Sequence, residues 1–122
     1  MALPAAGDEQ EYLYLTTRGR KTGRARHIEI WFTRRGRSYY LLAEHGLRAH
    51  WVQNLLVEPR VRWRVGTGRF GGRARVVRIE TAPALVRDIQ ARSKRKYGWG
   101  DGLVVELDPG PARPRRRPRG DI

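Results

Sequence analysis

The chain of 122 residues contains no cysteine, which excludes disulfides, thiolate metal sites and a cysteine nucleophile. Lysine is nearly absent: only Lys21, Lys94 and Lys96 accompany 23 arginines. Acidic residues are outnumbered by basic ones, 12 against 26, for a net charge of +14. No apolar run reaches the length of a membrane span. The opening MALPAAGDEQ lacks the basic start and apolar core of a signal peptide. A cytoplasmic setting is the expectation, with peripheral contact to an anionic membrane open to so basic a chain. Three histidines, His27, His45 and His50, are spaced like no familiar zinc motif, so no metal site is expected.

What is present is grouped. The length suits one domain with one core. YLYLTT at 12–17 is β-prone. HIEIWFT at 27–33 alternates His27, Glu29 and Trp31 against Ile28, Ile30 and Phe32, and is expected to form a hairpin with SYYLLA at 38–43 across Arg35-Gly36-Arg37. A short helix is expected over 48–57, pairing Trp51 with Leu55 and Val52 with Leu56, and ending at Pro59. RVRWRV at 60–65 sets Val61, Trp63 and Val65 against three arginines, with Trp63 in the core or at a dimer contact. The strand returns over 71–79. Thr81 is a candidate N-cap for a second helix over 82–97 with an apolar stripe of Leu85, Val86 and Ile89. LVVEL at 103–107 is a last strand.

These elements predict an α+β, mainly β domain: a small split β-barrel of about six mostly antiparallel strands with two helices. It spans residues 11–108, between a flexible N-terminus (1–10) and a disordered Arg/Pro-rich tail (109–122). Without residues 108–122 the net charge is still +11, so the barrel is basic in its own right.

TTRGRKTGRAR at 16–26 concentrates five cations around two glycines. It is not a P-loop, which needs a glycine four residues ahead of Gly-Lys-Ser/Thr. Two readings remain. Glycine lets successive backbone N–H groups form an anion-holding nest, ringed by Arg20, Lys21, Arg24 and Arg26; alternatively, the turn is a solvated basic loop.

The order of segments is more informative than any one of them. LTTRGRKTGRAR, an IEIWF strand, a YYLLA strand, a His-Trp-x-x-Asn-Leu helix, a Pro-Arg-Val strand and a terminal LVVELDP together resemble the deazaflavin-dependent nitroreductase family. These are split β-barrels related to the flavin-binding pyridoxamine-phosphate-oxidase-like proteins. The resemblance covers about residues 12–109. It implies that Arg20, Lys21, Thr22 and Arg26 grip the phosphate of coenzyme F420, or of FMN as the alternative. It implies that Glu29, Ile30 and Trp31 lie along the ring, that Ala43, Glu44, His45 and Gly46 contact its other side, and that Asn54 lies near it. Where relatives carry a small hydroxyl residue, a lysine and two glycines, this chain has Glu44-His45-Gly46-Leu47. Its carboxylates, Glu29 and Glu44, would disfavour an anionic ring unless paired with Arg48 or another cation.

The activity implied is hydride transfer from F420H2 to a small-molecule electron acceptor such as a quinone or nitro compound. The cofactor supplies the chemistry, and no catalytic triad is required. His45 is the candidate proton donor, because imidazole as a class exchanges protons near neutrality. Tyr97 is a candidate hydrogen-bond donor to the acceptor, or an aromatic packing on the barrel. Trp31 and Trp51 are candidate walls for a planar ring, and Tyr97 with Trp99 suggests an aromatic lid. Glu29 is otherwise a partner for a neighbouring arginine. Rival readings are a basic barrel that binds nucleic acid through Arg60, Arg62, Arg64 and the tail, and a split barrel that holds FMN or haem. A homodimer is also open.

Overall fold

The computed structural model describes residues 9–111. The first residues of the N-terminal segment and most of the Arg/Pro tail, for which flexibility was expected, lie outside the described residues. Seven strands and two helices follow in the order β1 (Tyr12–Arg18), β2 (Ala25–Trp31), β3 (Thr33–Arg35), β4 (Ser38–Ala43), α1 (His50–Val57), β5 (Arg60–Val65), β6 (Gly68–Val77), α2 (Pro83–Tyr97) and β7 (Leu103–Asp108). A 3-10 turn over Gly46–Arg48 leads into α1, which therefore starts two residues later than its sequence pattern suggests.

The strands form one sheet in the order β2-β1-β5-β6-β7-β4-β3, and every pairing is antiparallel. Strands β2 and β3 are its opposite edges, yet only Phe32 separates them in the chain. The sheet must therefore curl until its edges nearly meet, which makes the half-barrel. The expected hairpin between residues 27–33 and 38–43 is corrected accordingly. Residues 25–31 pair with β1, and only Thr33–Arg35 pairs with β4. A single alternating run crosses from one edge to the other, so one expected strand is two.

Two apolar layers explain the sequence patterns. Inside the curl, Leu13, Leu15, Tyr39, Leu41, Val61, Trp63, Val65, Val105 and Leu107 pack with Val52 and Leu55 of α1. Trp63 lies in this core, 5.8 Å from the rings of both Tyr39 and Phe70. Outside the curl, Val86 and Ile89 of α2 cover Tyr40, Leu42, Val77 and Val104. Strands β4 and β7 are thus buried on both faces and read as continuous apolar runs. Strands β1, β2 and β5 are covered on one face only and alternate.

Smaller corrections have local causes. Leu56 is exposed, so α1 buries Val52, Asn54 and Leu55 rather than a Val52–Leu56 pair. Ala82 is the N-cap residue of α2, with Pro83 in the first turn, and the Thr81 hydroxyl bonds the Arg78 carbonyl instead. β6 starts at Gly68 rather than Gly71. Gly72 within it lies against the Asp108 carbonyl, where a Cβ would collide. No helix among the described residues is long and apolar enough to cross a membrane.

Candidate cofactor site

The basic turn is the loop of the β1–β2 hairpin. The Gly19 N–H donates to the Arg24 carbonyl at 2.7 Å, and the Gly23 N–H donates to the Gly19 carbonyl at 2.8 Å. Gly23 takes φ +73°, which favours glycine. Gly19 is buried, and a Cβ there would press on Thr22 Oγ1 at 3.1 Å and Arg26 Nε at 3.3 Å. The Arg24 N–H donates to Thr22 Oγ1. The nest is narrower than the sequence suggests, because the Gly19, Arg20, Gly23 and Arg24 amides are all committed within the protein. Among the described residues, the amides of Lys21 and Thr22 have no protein acceptor.

Arg20 is not splayed into water. Its backbone N–H and its Nη1 both donate to Asn54 Oδ1, at 3.1 and 2.8 Å. Its Nη2 donates to His50 Nδ1 at 3.2 Å, which requires a neutral ring on that nitrogen. Asn54, buried on α1, donates through Nδ2 to Thr17 Oγ1 at 3.3 Å. A buried amide therefore ties the turn, β1 and α1 together.

A groove leads away from this turn. A cavity of about 590 Å³ is lined by Arg20, Lys21, Thr22, Arg26, Ile28 and Asn54, with His50 and Trp51 on its far wall. A second, of about 470 Å³, shares Ile28, His50 and Trp51 with the first and adds His45 and Arg48. A third, of about 560 Å³, shares His45, Ala49 and Trp51 with the second and continues to Glu29, Ile30, Trp31 and Glu44. Trp51 walls all three. As an edge strand, β2 directs alternate backbone N–H and C=O groups away from β1, toward the groove.

The inner cavity is strongly aromatic: Tyr12, Trp31, Phe32, Tyr40, Trp51 and Trp99 all line it. Its polar contributors include the Thr33 hydroxyl, buried and without a protein partner. Burial and a 2.8 Å hydrogen bond to the Glu106 carboxylate push the Tyr40 hydroxyl up to about 12, so it stays protonated. Arg75 holds the other Glu106 oxygen at 2.6 Å. Thr33, Tyr40, Leu42 and Ser93 escape the sequence reading, because small hydroxyl and core residues on strands and helices carry no motif.

Several expected site residues sit elsewhere. Ala43 is buried in the core, and neither Gly46 nor Arg24 lines the groove. The Tyr97 hydroxyl donates to backbone carbonyls, of Glu11 at 2.6 Å or Phe32 at 3.0 Å, and accepts from the Phe32 N–H. Its proton is committed to the fold, and its ring stacks on Trp31 at 4.4 Å. Tyr97 thus braces a wall of the cavity. Glu29 bonds the hydroxyl of Tyr14, directly across the β1–β2 ladder, rather than an arginine, and this raises the Tyr14 pKa. Glu44 lines the cavity with no ion-pair partner among the described residues, so the pairing with Arg48 that would neutralise it is not made.

The cationic hairpin turn and the aromatic cavity thus lie along the same edge strand, joined by the wall at Trp51. The family model described as F420H(2)-dependent quinone reductase matches residues 5–99. The chain belongs to that family. The matched region holds the turn, β2, α1 and α2, which supply nearly all of the groove. No curated protein matches this chain.

Solved structures agree on the fold. The conserved hypothetical protein Rv2991 from Mycobacterium tuberculosis superposes with a TM-score of 0.70 at 15% identity, over 85% of this chain and 76% of that one. HutZ, the haem storage protein from Vibrio cholerae, gives 0.68 at 19% identity, over 85% and 84%. A FAD-binding protein from Mesorhizobium loti gives 0.65 at 12% identity, over 85% and 84%. At these identities the likeness is of architecture alone, a split β-barrel.

Proposed function

We propose that this family member is an F420H2-dependent reductase that passes a hydride to a small conjugated acceptor, a quinone or a nitro compound. The supporting observation is the chain of three adjoining cavities, sharing Trp51, that runs from the cationic turn to the aromatic cavity. The donor set fits the cofactor. The free amides of Lys21 and Thr22, with the Lys21, Arg26 and Arg20 side chains, offer an anion charge-assisted hydrogen bonds of about 1.5–3 kcal/mol each. Ile28, Ile30 and Trp51 offer a planar ring flat apolar surface. When bound, the reduced deazaflavin supplies the hydride.

The protein's own residues do the rest. Asn54 and His50 hold Arg20 toward the turn, so its geometry is set before a ligand arrives. Trp31, braced by Tyr97, and Trp99 enclose the inner cavity and limit water. Hydride addition to a quinone leaves an oxyanion that takes up one proton. His45 lines two of the adjoining cavities, which supports its candidacy as the donor.

Fluorescence titration with oxidised F420, and separately with FMN and haem, tests the reading. F420 should bind at micromolar concentration or tighter. Arg20→Ala and Lys21→Ala should each weaken it about tenfold or more. Equal affinity in both variants removes the turn as the phosphate site, and preference for FMN or haem replaces the cofactor.

A further inference from the structure

The groove leaves one surface unused. α2 covers the outer face of β4, of β7 and of the end of β6 at Val77, whereas the outer face of β1, β5 and the rest of β6 is open. There the strand register builds a ladder of arginine. Arg60 lies opposite Arg73, Arg62 opposite Gly71, and Arg64 opposite Arg69. All five are exposed. Like charges directly across a ladder destabilise a sheet, and this face carries two such pairs, one on each side of Arg62–Gly71. Carboxylates do little to offset them. Glu58 engages Arg60 at 2.9 Å, and Glu29 is committed to Tyr14. Arg62, Arg69 and Arg73 have no acidic partner among the described residues.

The face also has a seat. The β1–β5 ladder ends at Thr16 opposite Arg62. Beyond it the two strands splay and open a notch of about 480 Å³, lined by Thr16, Arg18, Arg60 and Arg62 and also by Glu58, whose carboxylate is taken up by Arg60 at 2.9 Å. Gly71 leaves the centre of the ladder bare, although a Cβ there would meet nothing closer than 3.9 Å. A chain lying across the sheet can approach the backbone at that point. Alternate side chains along a strand stand about 6.8 Å apart, the scale on which an extended polynucleotide repeats its phosphates.

We propose that this arginine face binds the phosphodiester backbone of single-stranded nucleic acid, with the β1–β5 notch seating one phosphate. A second copy of the chain would set cations against cations. An anionic membrane is disfavoured because, of the large exposed hydrophobic side chains among the described residues, only Tyr14 belongs to β1, β5 or β6, and its ring lies under the Arg64 guanidinium at 4.3 Å.

The test compares two variants of the full chain that lose equal charge: R62A/R69A/R73A on the face and R87A/K94A/R95A on exposed positions of α2. Binding to labelled oligo(dT) of about 16 nucleotides is followed by anisotropy between about 50 and 200 mM salt. The face variant should bind about tenfold or more weakly, with the salt slope reduced by about two, at roughly 0.7 per lost phosphate contact. The α2 variant should stay near wild type, and both should keep their F420 affinity. Equal losses in the two variants would reduce the effect to net charge and overturn the proposal. So would a dimer in solution that only the face variant dissociates. Tighter binding to phosphatidylserine vesicles than to oligo(dT), lost in the face variant, would give the face to a membrane. If the triple variant does not fold, R62Q and R73Q must each lower the slope by about 0.7, and unchanged slopes refute the proposal.

Discussion

Replacing Asn54 with alanine tests whether the cationic turn is held ready by the protein or assembled by its ligand. The side chain makes three hydrogen bonds, two with Arg20 and one with Thr17. The bond to the Arg20 amide is neutral and contributes about 1 kcal/mol. The bond to the guanidinium is charge-assisted, but Arg20 is only half-buried, so about 1–2 kcal/mol is appropriate. The 3.3 Å bond to Thr17 adds about 0.5. Asn54→Ala should therefore lower the unfolding free energy by about 2–4 kcal/mol, read as a fall in the denaturant midpoint at unchanged slope. The turn would also be freed from α1. If about 1.4 kcal/mol of that loss had held the turn in its binding geometry, F420 affinity should fall about tenfold, although Asn54 itself carries no charge. Combining Asn54→Ala with Arg20→Ala should cost F420 affinity less than the sum of the single changes, because both remove the same clamp. Wild-type stability and affinity in Asn54→Ala would refute the reasoning, as would strict additivity in the pair.

Tyr97→Phe should lower stability by about 1–2 kcal/mol through its backbone bonds. It should leave the pH profile of turnover unchanged, since the hydroxyl proton belongs to the fold. A shifted profile would return Tyr97 to the chemistry. Tyr40, raised to about 12 by burial and by Glu106, has an ordinary value of 10 in the unfolded chain. Its contribution to stability is complete below pH 10 and is lost as pH rises toward 12, so denaturant midpoints should fall in that window and fall less in Tyr40→Phe. Gly72→Ala would drive a Cβ into the Asp108 carbonyl and should cost about 3 kcal/mol, whereas Gly71→Ala should be nearly neutral. Thermal melts of the two would separate them.

Much of the fold is legible along the chain because each pattern reflects a local environment. RVRWRV alternates because β5 has one dry and one wet face. YYLLA and LVVEL do not alternate because the core covers one face of β4 and β7 and α2 the other. The run of residues 27–33 misleads for a physical reason. Alternation persists through Phe32 even though the strand changes partners there, and periodicity carries no information about which neighbour supplies the hydrogen bonds. The turn is legible as a concentration of charge and glycine. Its clamp is not, since Arg20 and Asn54 are 34 residues apart and meet only when α1 packs on β1.

By itself, then, the sequence determined the strand and helix segments, the basic character of the barrel and the position of the glycine turn, all properties of neighbouring residues. The closure of the sheet was decided by tertiary structure, as were the polar floor at Thr33 and Tyr40, the bracing role of Tyr97 and the alignment of arginines across β5 and β6. Each depends on register and curl, which bring together residues distant in the chain, and no local pattern encodes that distance.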